Sequence, residues 1–483
     1  MNRTLGFSTS ANHKRLSFML PAGISGLVYA LTLIREVSWG DAAELALQAN
    51  QLGITHPPGY PVHTILGWLF NLVFDDPAMA TNIMSAVCTM VAVGLLGRII
   101  FDLCHSLWIS VLAALIFALS PRIWSMAILT EVYNVNLLFF ALTFFFLMRW
   151  YKHPEASKNL FIAAAIFGLS LGAYLANMLL IPAFVIFIYL RRKNDYKQIL
   201  GFLICFGVTS LLIHSFSYFR SQQSIPLGTL YLPDTLSGVL KYISGKQYDT
   251  MAVHDARFYL DRTFEHAVIF SRSLFGLGVL AGLVGFWYSA KVNRQLFVFF
   301  LITVVINLGF FTYYQPGDYY TMVGPTYFVF AIWIGFGTRW LGAQSLPVLR
   351  KSAIPVLIIT CLGLLIVQFP KRFKRSDDAN VTTFVMNSYQ TFPDDAVVIC
   401  KWRKFASLFY YQEVEKMRED VTLIEHVEDL RHYDFGQLGT YRQMLDSAIL
   451  SRPVLVDSLS ETVKKDYAST PLDNGWHQLH LRP

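Results

Sequence analysis

The sequence predicts a polytopic α-helical membrane protein that ends in a small α/β domain. Hydrophobic residues make up 54% of the 483 residues and charged residues only 15%, against roughly 25% charged in an average soluble domain. So few polar groups could not cover the surface of a soluble enzyme of this size. A disordered chain would need low hydrophobicity and high net charge. A protein with several membrane spans is the class that fits.

Apolar segments of spanning or near-spanning length recur as far as about residue 370. The first of them follows Lys14 and Arg15 and has no cleavage-site pattern after it, which favours an uncleaved membrane helix over a signal peptide. Residues 62–74 are apolar but too short to span, so we place them at the membrane interface. We predict about eleven transmembrane helices, in segments 16–34, 79–100, 107–120, 133–150, 159–173, 174–190, 199–218, 268–289, 296–314, 320–340 and 353–369.

The basic residues between these segments predict the orientation. With the N-terminus in the cytoplasm, clusters such as Arg191–Lys193 and Lys291 with Arg294 fall in cytoplasmic loops, which is the bias of the positive-inside rule. Topology therefore accounts for the net charge of +7 better than a nucleic-acid partner does. The basic cluster at 371–375 is the one feature that favours an even number of spans, which would leave the tail inside.

From Ser376 onward the composition becomes that of a soluble domain. Short buried strands are predicted at 396–400, 421–424 and 453–456, with helices at 404–418 and 437–449. This alternation predicts a small α/β unit with a parallel sheet. We therefore divide the chain into a transmembrane domain, residues 1–372, and a C-terminal α/β domain, residues 373–483, which an odd number of spans places outside the cytoplasm.

The first outer loop holds the best candidate site. In this topology most carboxylates beside the spans fall on the outer face, which is therefore the candidate reactive face. A helix that starts at Asp41 would place Asp41 and Glu44 at positions i and i+3, on one side. Two close carboxylates raise the pKa of one of them, which suits a general base. The alternative is a variant of the capping box, in which the pair only caps the helix.

A rigid turn follows this pair. Three prolines and two glycines lie within the nine residues Gly53–Pro61, which predicts a non-helical turn. His56 within it could contact a phosphate or a sugar hydroxyl, or could fix the turn through a hydrogen bond.

Four more polar residues stand at the outer ends of spans. Arg122 and Arg220 could bind an anionic lipid phosphate, or could snorkel to the interface. Glu131 and Asp318 precede spans, where the helix dipole favours an acidic residue, and they could also shape a cavity. The aromatic residues around Asp318 could form an interfacial belt or a sugar platform.

Several motifs of nucleotide and metal chemistry are missing from the sequence. There is no GxGxxG, GxxxxGKS or HExxH motif, and no Asp-x-Asp of the kind that nucleotide-sugar enzymes use to hold a metal. The five cysteines include no CxxC pair. An outward-facing site has no access to cytosolic nucleotide sugars, which points to a lipid-linked donor.

These motifs resemble a family of multi-pass membrane proteins whose animal members are protein O-mannosyltransferases. The family has a first-loop Asp-x-x-Glu followed by His-Pro-Pro-Gly-Tyr-Pro, matched here by Gly40–Glu44 and Leu52–Pro61. Further matching pieces follow in order at Ser120–Trp124, Glu131–Tyr133, Arg220–Ser221 and Lys246–Tyr248, and in the tail at 393–398 and 418–422. Where many relatives have Gly-Asn-His, this chain has Gly-Ala-Tyr at 172–174.

The resemblance implies a GT-C-type glycosyltransferase fold. It also implies an enzyme that takes a sugar from a polyprenyl or dolichyl phosphate outside the cytoplasm. Our hypothesis is that Asp41 deprotonates an acceptor hydroxyl in an inverting displacement, while Glu44 tunes Asp41 or binds the acceptor. We predict that the substrate-binding residues are His56, Tyr60, Arg122, Glu131, Arg220 and Asp318, with the two arginines stabilising the lipid phosphate.

The expected partners are a polyprenyl-phosphate sugar, a mannose-like hexose being favoured, an acceptor protein or glycan, and membrane lipid, with no nucleic acid. No cofactor is assigned, and the need for a divalent metal is left open. Two other classes stay open. A transporter or flippase of lipid-linked sugars would need acidic groups near the midplane and broken helices in matching halves. A catalytically silent assembly protein would recognise a partner through its tail.

Overall fold

The protein is a bundle of helices followed by a small α/β unit, as the sequence predicts. The structure, a computed structural model, describes residues 11–193, 195–223, 235–245, 255–274, 276–314, 319–376, 380–425, 438–459 and 461–482. The predicted positions Asp318 and Lys246–Tyr248 lie outside these residues.

The first half of the bundle contains ten helices in the described residues. They are α1 (Ala11–Leu31), α2 (Asp41–Gln51), α3 (Pro61–Asn71), α4 (Pro77–Cys104), α5 (Leu107–Leu119), α6 (Pro121–Ala127), α7 (Val132–Lys152), α8 (Ser157–Ser170), α9 (Ile181–Arg191) and α10 (Tyr196–Ser221). A short 3₁₀ helix, Leu175–Leu180, precedes α9. The short α3 falls on the segment predicted to lie at the interface.

The second half of the bundle contains six helices in the described residues. They are α11 (Leu236–Ile243), α12 (Ala256–Ser273), α13 (Leu277–Val292), α14 (Arg294–Tyr313), α15 (Gly324–Gly342) and α16 (Pro347–Ser376). The segment predicted as one span at 268–289 is divided between α12 and α13, which meet at an angle of 111°. Gly276 has φ of 63° at the start of α13, a conformation that glycine adopts without steric cost.

Helices of membrane-spanning length and composition run through the bundle. Among the described residues, five helices qualify, α4, α7, α10, α14 and most of α16. The number rises to seven if α5 with α6, and α12 with α13, each count as one bent span. The protein is thus an integral membrane protein, while the number of eleven spans stays a prediction.

Close helix packing depends on glycine where α13 crosses α15. A Cβ atom on Gly285 would lie 1.7 Å from the carbonyl oxygen of Trp333, and one on Gly337 would lie 1.9 Å from that of Ala281. Both distances are far inside van der Waals contact, so only glycine lets these two backbones approach. Substitution with alanine at either position would force the helices apart.

The C-terminal domain is a five-stranded sheet with flanking helices. Its helices are α17 (Asn380–Thr391), α18 (Trp402–Glu415), α19 (Leu438–Ser451) and α20 (Glu461–Asp466), and its strands are β1 (Val397–Cys400), β2 (Thr422–Glu425), β3 (Val454–Val456), β4 (Tyr467–Pro471) and β5 (His477–Leu481). The strand order is β2-β1-β3-β5-β4. The predicted parallel pairing is confirmed, because β1 is parallel to β2 and to β3. The antiparallel strands β4 and β5 complete the sheet.

The first-loop helix α2 packs directly on the C-terminal domain. Ala43, Ala46 and Leu47 of α2 share one buried hydrophobic cluster with Phe405 and Leu408 of α18. Polar contacts join the same surfaces: Thr382 Oγ1 donates to Glu36 Oε2 at 2.6 Å, and the backbone N–H of Ala78 donates to the Tyr410 hydroxyl at 3.2 Å. The first loop and the C-terminal domain therefore form one packed body around the start of α2.

Candidate functional site

The start of α2 brings a carboxylate to the surface between the bundle and the C-terminal domain. The helix begins at Asp41, as predicted, and Gly40 precedes it with φ of 64°, a value that favours glycine. The capping alternative does not describe Asp41, because Gly40 occupies the N-cap position and no side chain caps this helix end. The Asp41 side chain is instead available to groups outside α2.

Glu44 is one turn further along and is engaged by His56. Its side chain is 2% exposed. The backbone N–H of His56 donates to Oε1 at 2.5 Å, and Nδ1 of His56 lies 2.5 Å from Oε2. Glu44 thus holds the turn of the first loop against α2 through both the backbone and the ring of His56.

Burial and charge set the ionisation of this pair. Burial raises the pKa of Glu44, and the adjacent His56 opposes that effect. Burial lowers the pKa of His56, but the carboxylates of Glu44 and Asp41 outweigh it and raise the pKa to about 9. At neutral pH His56 is therefore an imidazolium that can donate to the Glu44 carboxylate.

Asp41 is the exposed member of the three. Its side chain is 50% exposed, and Oδ2 lies 3.9 Å from His56 Nε2. The other oxygen, Oδ1, accepts a hydrogen bond of 2.6 Å from the indole Nε1 of Trp402, at the start of α18. Two carboxylates thus share one imidazolium, and the more accessible carboxylate can take up a proton.

The proline-rich turn is non-helical, as predicted, and it is largely buried. Thr55 Oγ1 accepts from the backbone N–H of Tyr60 at 2.9 Å, and the Tyr242 hydroxyl donates to the carbonyl of Thr55. The peptide between Pro57 and Pro58 is cis. The ring of Tyr60 meets that of His56 edge to face with centroids 5.3 Å apart, so Tyr60 supports the imidazole.

The predicted acidic residue Glu131 lies at the start of α7. It occupies the N-cap position without a side-chain capping hydrogen bond, so helix capping does not explain it. Its negative charge contributes to raising the pKa of His56. Glu131 therefore belongs electrostatically to the same site as Asp41 and Glu44.

The two predicted arginines have different surroundings. Arg220 donates from Nε to the carbonyl of Leu52 at 2.7 Å and from Nη2 to that of Gln51 at 3.1 Å, so it fastens the end of α10 to the end of α2. Arg122 places its guanidinium carbon 3.8 Å from the ring centroid of Tyr320. Arg122 is a cation–π partner rather than a backbone clamp.

Sequence reasoning missed a second arginine of this kind. Arg262 in α12 stacks on Tyr319, with 3.6 Å from its guanidinium carbon to the ring centroid, and its side chain is 9% exposed. The Tyr319 hydroxyl donates to Glu265 at 2.9 Å. Arg122 and Arg262 thus stack on two tyrosines that are adjacent in the chain, an arrangement that no local motif indicates.

Trp402 was also missed, because it lies 361 residues from Asp41 in the chain. The only signal for it was a tryptophan two residues after the end of the predicted strand at 396–400.

A serine that has the GxSxG spacing, Ser170, is no nucleophile of the elbow type. It is buried at the end of α8, where its hydroxyl donates to the carbonyl of Phe167 at 2.7 Å.

Within the described ranges, the structure contains no group of three or more His, Cys, Asp or Glu side chains that could hold a metal ion. The chemistry that the site can perform with its own residues is proton transfer at Asp41, beside a buried carboxylate–imidazolium pair. Arginine side chains at the same end of the bundle can bind an anion.

Comparison with known proteins supports the resemblance that the motifs predict. Residues 41–197 match the family model described as the protein O-mannosyl-transferase TMEM260 N-terminal domain. The chain is 26% identical over 430 residues to protein O-mannosyl-transferase TMEM260 of Mus musculus, covering 82% of this chain and 61% of that protein. A Dictyostelium discoideum protein of the same description is 27% identical over 137 residues, which are 28% of this chain and 17% of that protein. This chain thus spans about three fifths of the length of the mouse relative.

Solved structures show the same fold. ArnT from Cupriavidus metallidurans, bound to undecaprenyl phosphate, superposes with a TM-score of 0.65 at 11% identity, over 95% of this chain and 97% of ArnT. The archaeal oligosaccharyltransferase AglB from Archaeoglobus fulgidus, in complex with an inhibitory peptide and a dolichol-phosphate, gives 0.54 at 11% identity, over 96% of this chain and 74% of AglB. The GT-C-like fold expected from the motifs is confirmed.

Proposed function

We propose that this chain, a protein similar to the TMEM260 O-mannosyltransferases, is an inverting glycosyltransferase. It moves a mannose-like hexose from a polyprenyl-phosphate donor to an acceptor hydroxyl, with Asp41 as the general base. The observation that carries this proposal is the half-exposed Asp41 carboxylate, 3.9 Å from the His56 imidazolium that Glu44 holds. The enzyme class agrees with the names of the relatives and with the fold of the structural neighbours.

The proposed reaction is a single displacement. Asp41 takes the proton of the acceptor hydroxyl while the hydroxyl oxygen attacks the anomeric carbon. The bond from that carbon to the phosphate oxygen breaks, and the lipid phosphate leaves with the electron pair. Because attack and departure occur on opposite faces, the configuration at the anomeric carbon inverts.

Glu44 and His56 organise Asp41 in this scheme. Glu44 is too buried to meet an acceptor directly, with 2% exposure, so its role is to fix His56. The imidazolium attracts the Asp41 carboxylate and limits its rotation. Pre-set orientation of this kind lowers the cost of reaching the reactive geometry.

The lipid phosphate needs a cation at the same end of the bundle. We propose Arg122 together with Arg262, because both guanidinium groups lie on adjacent tyrosine rings and arginine binds phosphate through paired N–H donors. Arg220, whose guanidinium donates to the carbonyls of Leu52 and Gln51, positions the first loop and contributes its charge to that end.

The proposed site lies on the extracytoplasmic side of the membrane, together with the C-terminal domain, and the N-terminus lies in the cytoplasm. The orientation follows from the basic loops of the sequence. The acceptor is a protein Ser or Thr, or a glycan hydroxyl. In this proposed arrangement the acceptor approaches the first loop from outside the bilayer.

A purified assay tests the function. The full chain in detergent is incubated with a panel of polyprenyl-phosphate sugars and hydroxyl acceptors, a Ser/Thr peptide and a glycan, and labelled product is counted. We expect transfer from a phosphate-linked hexose in the wild type. Movement of the intact lipid-linked sugar across liposomes without any transfer would overturn the proposal in favour of a flippase. A folded chain with neither activity would favour an assembly protein.

A further inference from the structure

We propose that Trp402, from the C-terminal domain, is a positioning residue of the transfer site. Its indole N–H holds one carboxylate oxygen of Asp41, so that the other oxygen is directed to the acceptor hydroxyl. This inference rests on the proposed function and extends it. It makes the C-terminal domain a structural part of the reactive centre.

The contact is direct and oriented. Trp402 Nε1 donates to Asp41 Oδ1 at 2.6 Å, and the Trp402 ring meets the His56 ring at 73° with centroids 5.8 Å apart. The indole thus contacts both Asp41 and the imidazolium beside it. Because Oδ1 is taken by the indole and Oδ2 faces His56 at 3.9 Å, the two carboxylate oxygens are distinct.

The local fold places Trp402 beside Asp41. It is the first residue of α18 and follows the buried strand β1 directly after Lys401. A Cβ atom on Gly40 would lie 3.8 Å from the Cα of Arg403, so the first turn of α18 rests on the residue that precedes α2. The guanidinium of Arg403 lies 4.7 Å from the ring centroid of Trp39, which fixes the same junction from the other side.

The physical effect on Asp41 is one of position. The hydrogen bond limits rotation of the carboxylate, which matters because a general base must meet its proton within hydrogen-bond reach. The charged groups that face Asp41 are His56 and Glu44, while Lys401 and Arg403 flank Trp402.

The test compares two tryptophans of the same domain. Trp402→Phe keeps an aromatic ring but removes the N–H. The matched control is Trp476→Phe, since Trp476 is fully buried and donates from Nε1 to Ser388 Oγ at 3.2 Å. Each variant loses one indole hydrogen bond, but only Trp402 bonds to Asp41. Turnover and the KM values for donor and acceptor are measured for both variants on the full-length chain.

For Trp402→Phe we expect kcat to fall about 10- to 100-fold, with KM for donor and acceptor within about twofold, because positioning acts on the chemical step. Trp476→Phe should leave kcat within about twofold even if it lowers thermal stability. Unchanged turnover in Trp402→Phe, or an equal fall of kcat in both variants, would overturn the inference.

A second measurement does not depend on activity. The melting temperatures of Asp41→Ala, Trp402→Phe and the double variant form a cycle, in which two residues that bond to each other give shifts that do not add. Additive shifts would contradict the contact itself. If Asp41→Asn retains transfer, the proposed function fails. If that variant is inactive while Trp402→Phe behaves as wild type, only the role of Trp402 fails.

Discussion

Two charged clusters lie at the two ends of helix α4, and their net charges have opposite signs. At its last turn Asp102 lies 3.2 Å from Arg98 Nε and 3.6 Å from Lys152 Nζ, so one carboxylate meets two cations. At the other end, where α4 contacts the first loop, Asp41 and Glu44 share the single imidazolium of His56. The helix that separates them is about 42 Å long at 1.5 Å per residue.

The difference separates an ion-pair clamp from the proposed reactive site. Asp102 is 16% exposed and is neutralised by its neighbours, which fits a residue that ties α4 to α7. Asp41 is 50% exposed in a cluster with an excess of negative charge. A carboxylate with acceptor capacity to spare can receive a proton from a substrate, while one that is fully paired cannot do so without breaking its ion pairs.

The largest expected effect is the loss of transfer on Asp41→Asn. The amide keeps the shape but cannot accept the proton, so kcat should fall about 10²- to 10⁴-fold, the usual contribution of a general base. Asp102→Asn, the matched change at the other end of α4, should leave kcat within about twofold. Both are measured with purified full-length protein of equal melting behaviour. Equal losses in both variants would mean that the two ends do not differ in function.

A second effect concerns the cation for the leaving phosphate. Arg122→Gln should lower kcat about 10²-fold, because a charge that develops on the phosphate loses a preorganised donor. Arg98→Gln, which removes an arginine from the clamp end, should retain most of the activity. The measurement is single-turnover transfer at saturating donor. A wild-type rate in Arg122→Gln would mean that Arg122 only anchors the helix end at the membrane interface and does not act on the phosphate.

Substitution of Glu44 should lower the free energy of unfolding more than substitution of Asp102. Glu44→Gln removes one partner of a buried ion pair and leaves the His56 cation without it, which costs about 3–5 kcal/mol of the free energy of unfolding. Asp102→Asn should cost less, since its partners reach water: Lys152 is 39% exposed. Thermal unfolding in detergent compares the two. A larger loss of stability in Asp102→Asn than in Glu44→Gln would contradict the view that Glu44 and His56 form the more strongly stabilising ion pair.

The last expected effect is a pH dependence of stability from His56. Its pKa is raised from 6.5 to about 9 in the folded protein, so the proton binds more tightly to the folded state. The stabilisation is complete below pH 6.5 and is lost as the pH rises through about 9. The melting temperature of the wild type should therefore fall across this interval relative to that of His56→Gln. Parallel curves would contradict a charged His56.

Local patterns in the sequence were enough to place Asp41 and the turn that follows it. Alternation of strand and helix found β1, β2 and β3, because their residues are short apolar runs. Strands β4 and β5, with the sequences Tyr-Ala-Ser-Thr-Pro and His-Gln-Leu-His-Leu, were missed, because most of their side chains are only partly buried or exposed. Their pairing partners, rather than their composition, make them strands.

The part of the site that could not be predicted is made of contacts between distant residues. The i, i+3 spacing indicated that Asp41 and Glu44 lie together, but not that His56 would bond to Glu44 through both its backbone and its ring. Trp402 and Arg262 belong to elements whose local sequence carries no sign of the first loop. Only the packing of α18 on α2 brings Trp402 to Asp41, and only the contact with Tyr319 defines the surroundings of Arg262.

The configuration of the product at the anomeric carbon tests the central claim most directly. Two neighbouring carboxylates could serve as base and positioning group, or one of them could attack the sugar as a nucleophile. With a donor of defined configuration, proton NMR of the wild-type product reports the outcome without any mutation. The mechanism with Asp41 as base predicts inversion. Retention would contradict it, because it requires a covalent sugar–enzyme intermediate and two displacements.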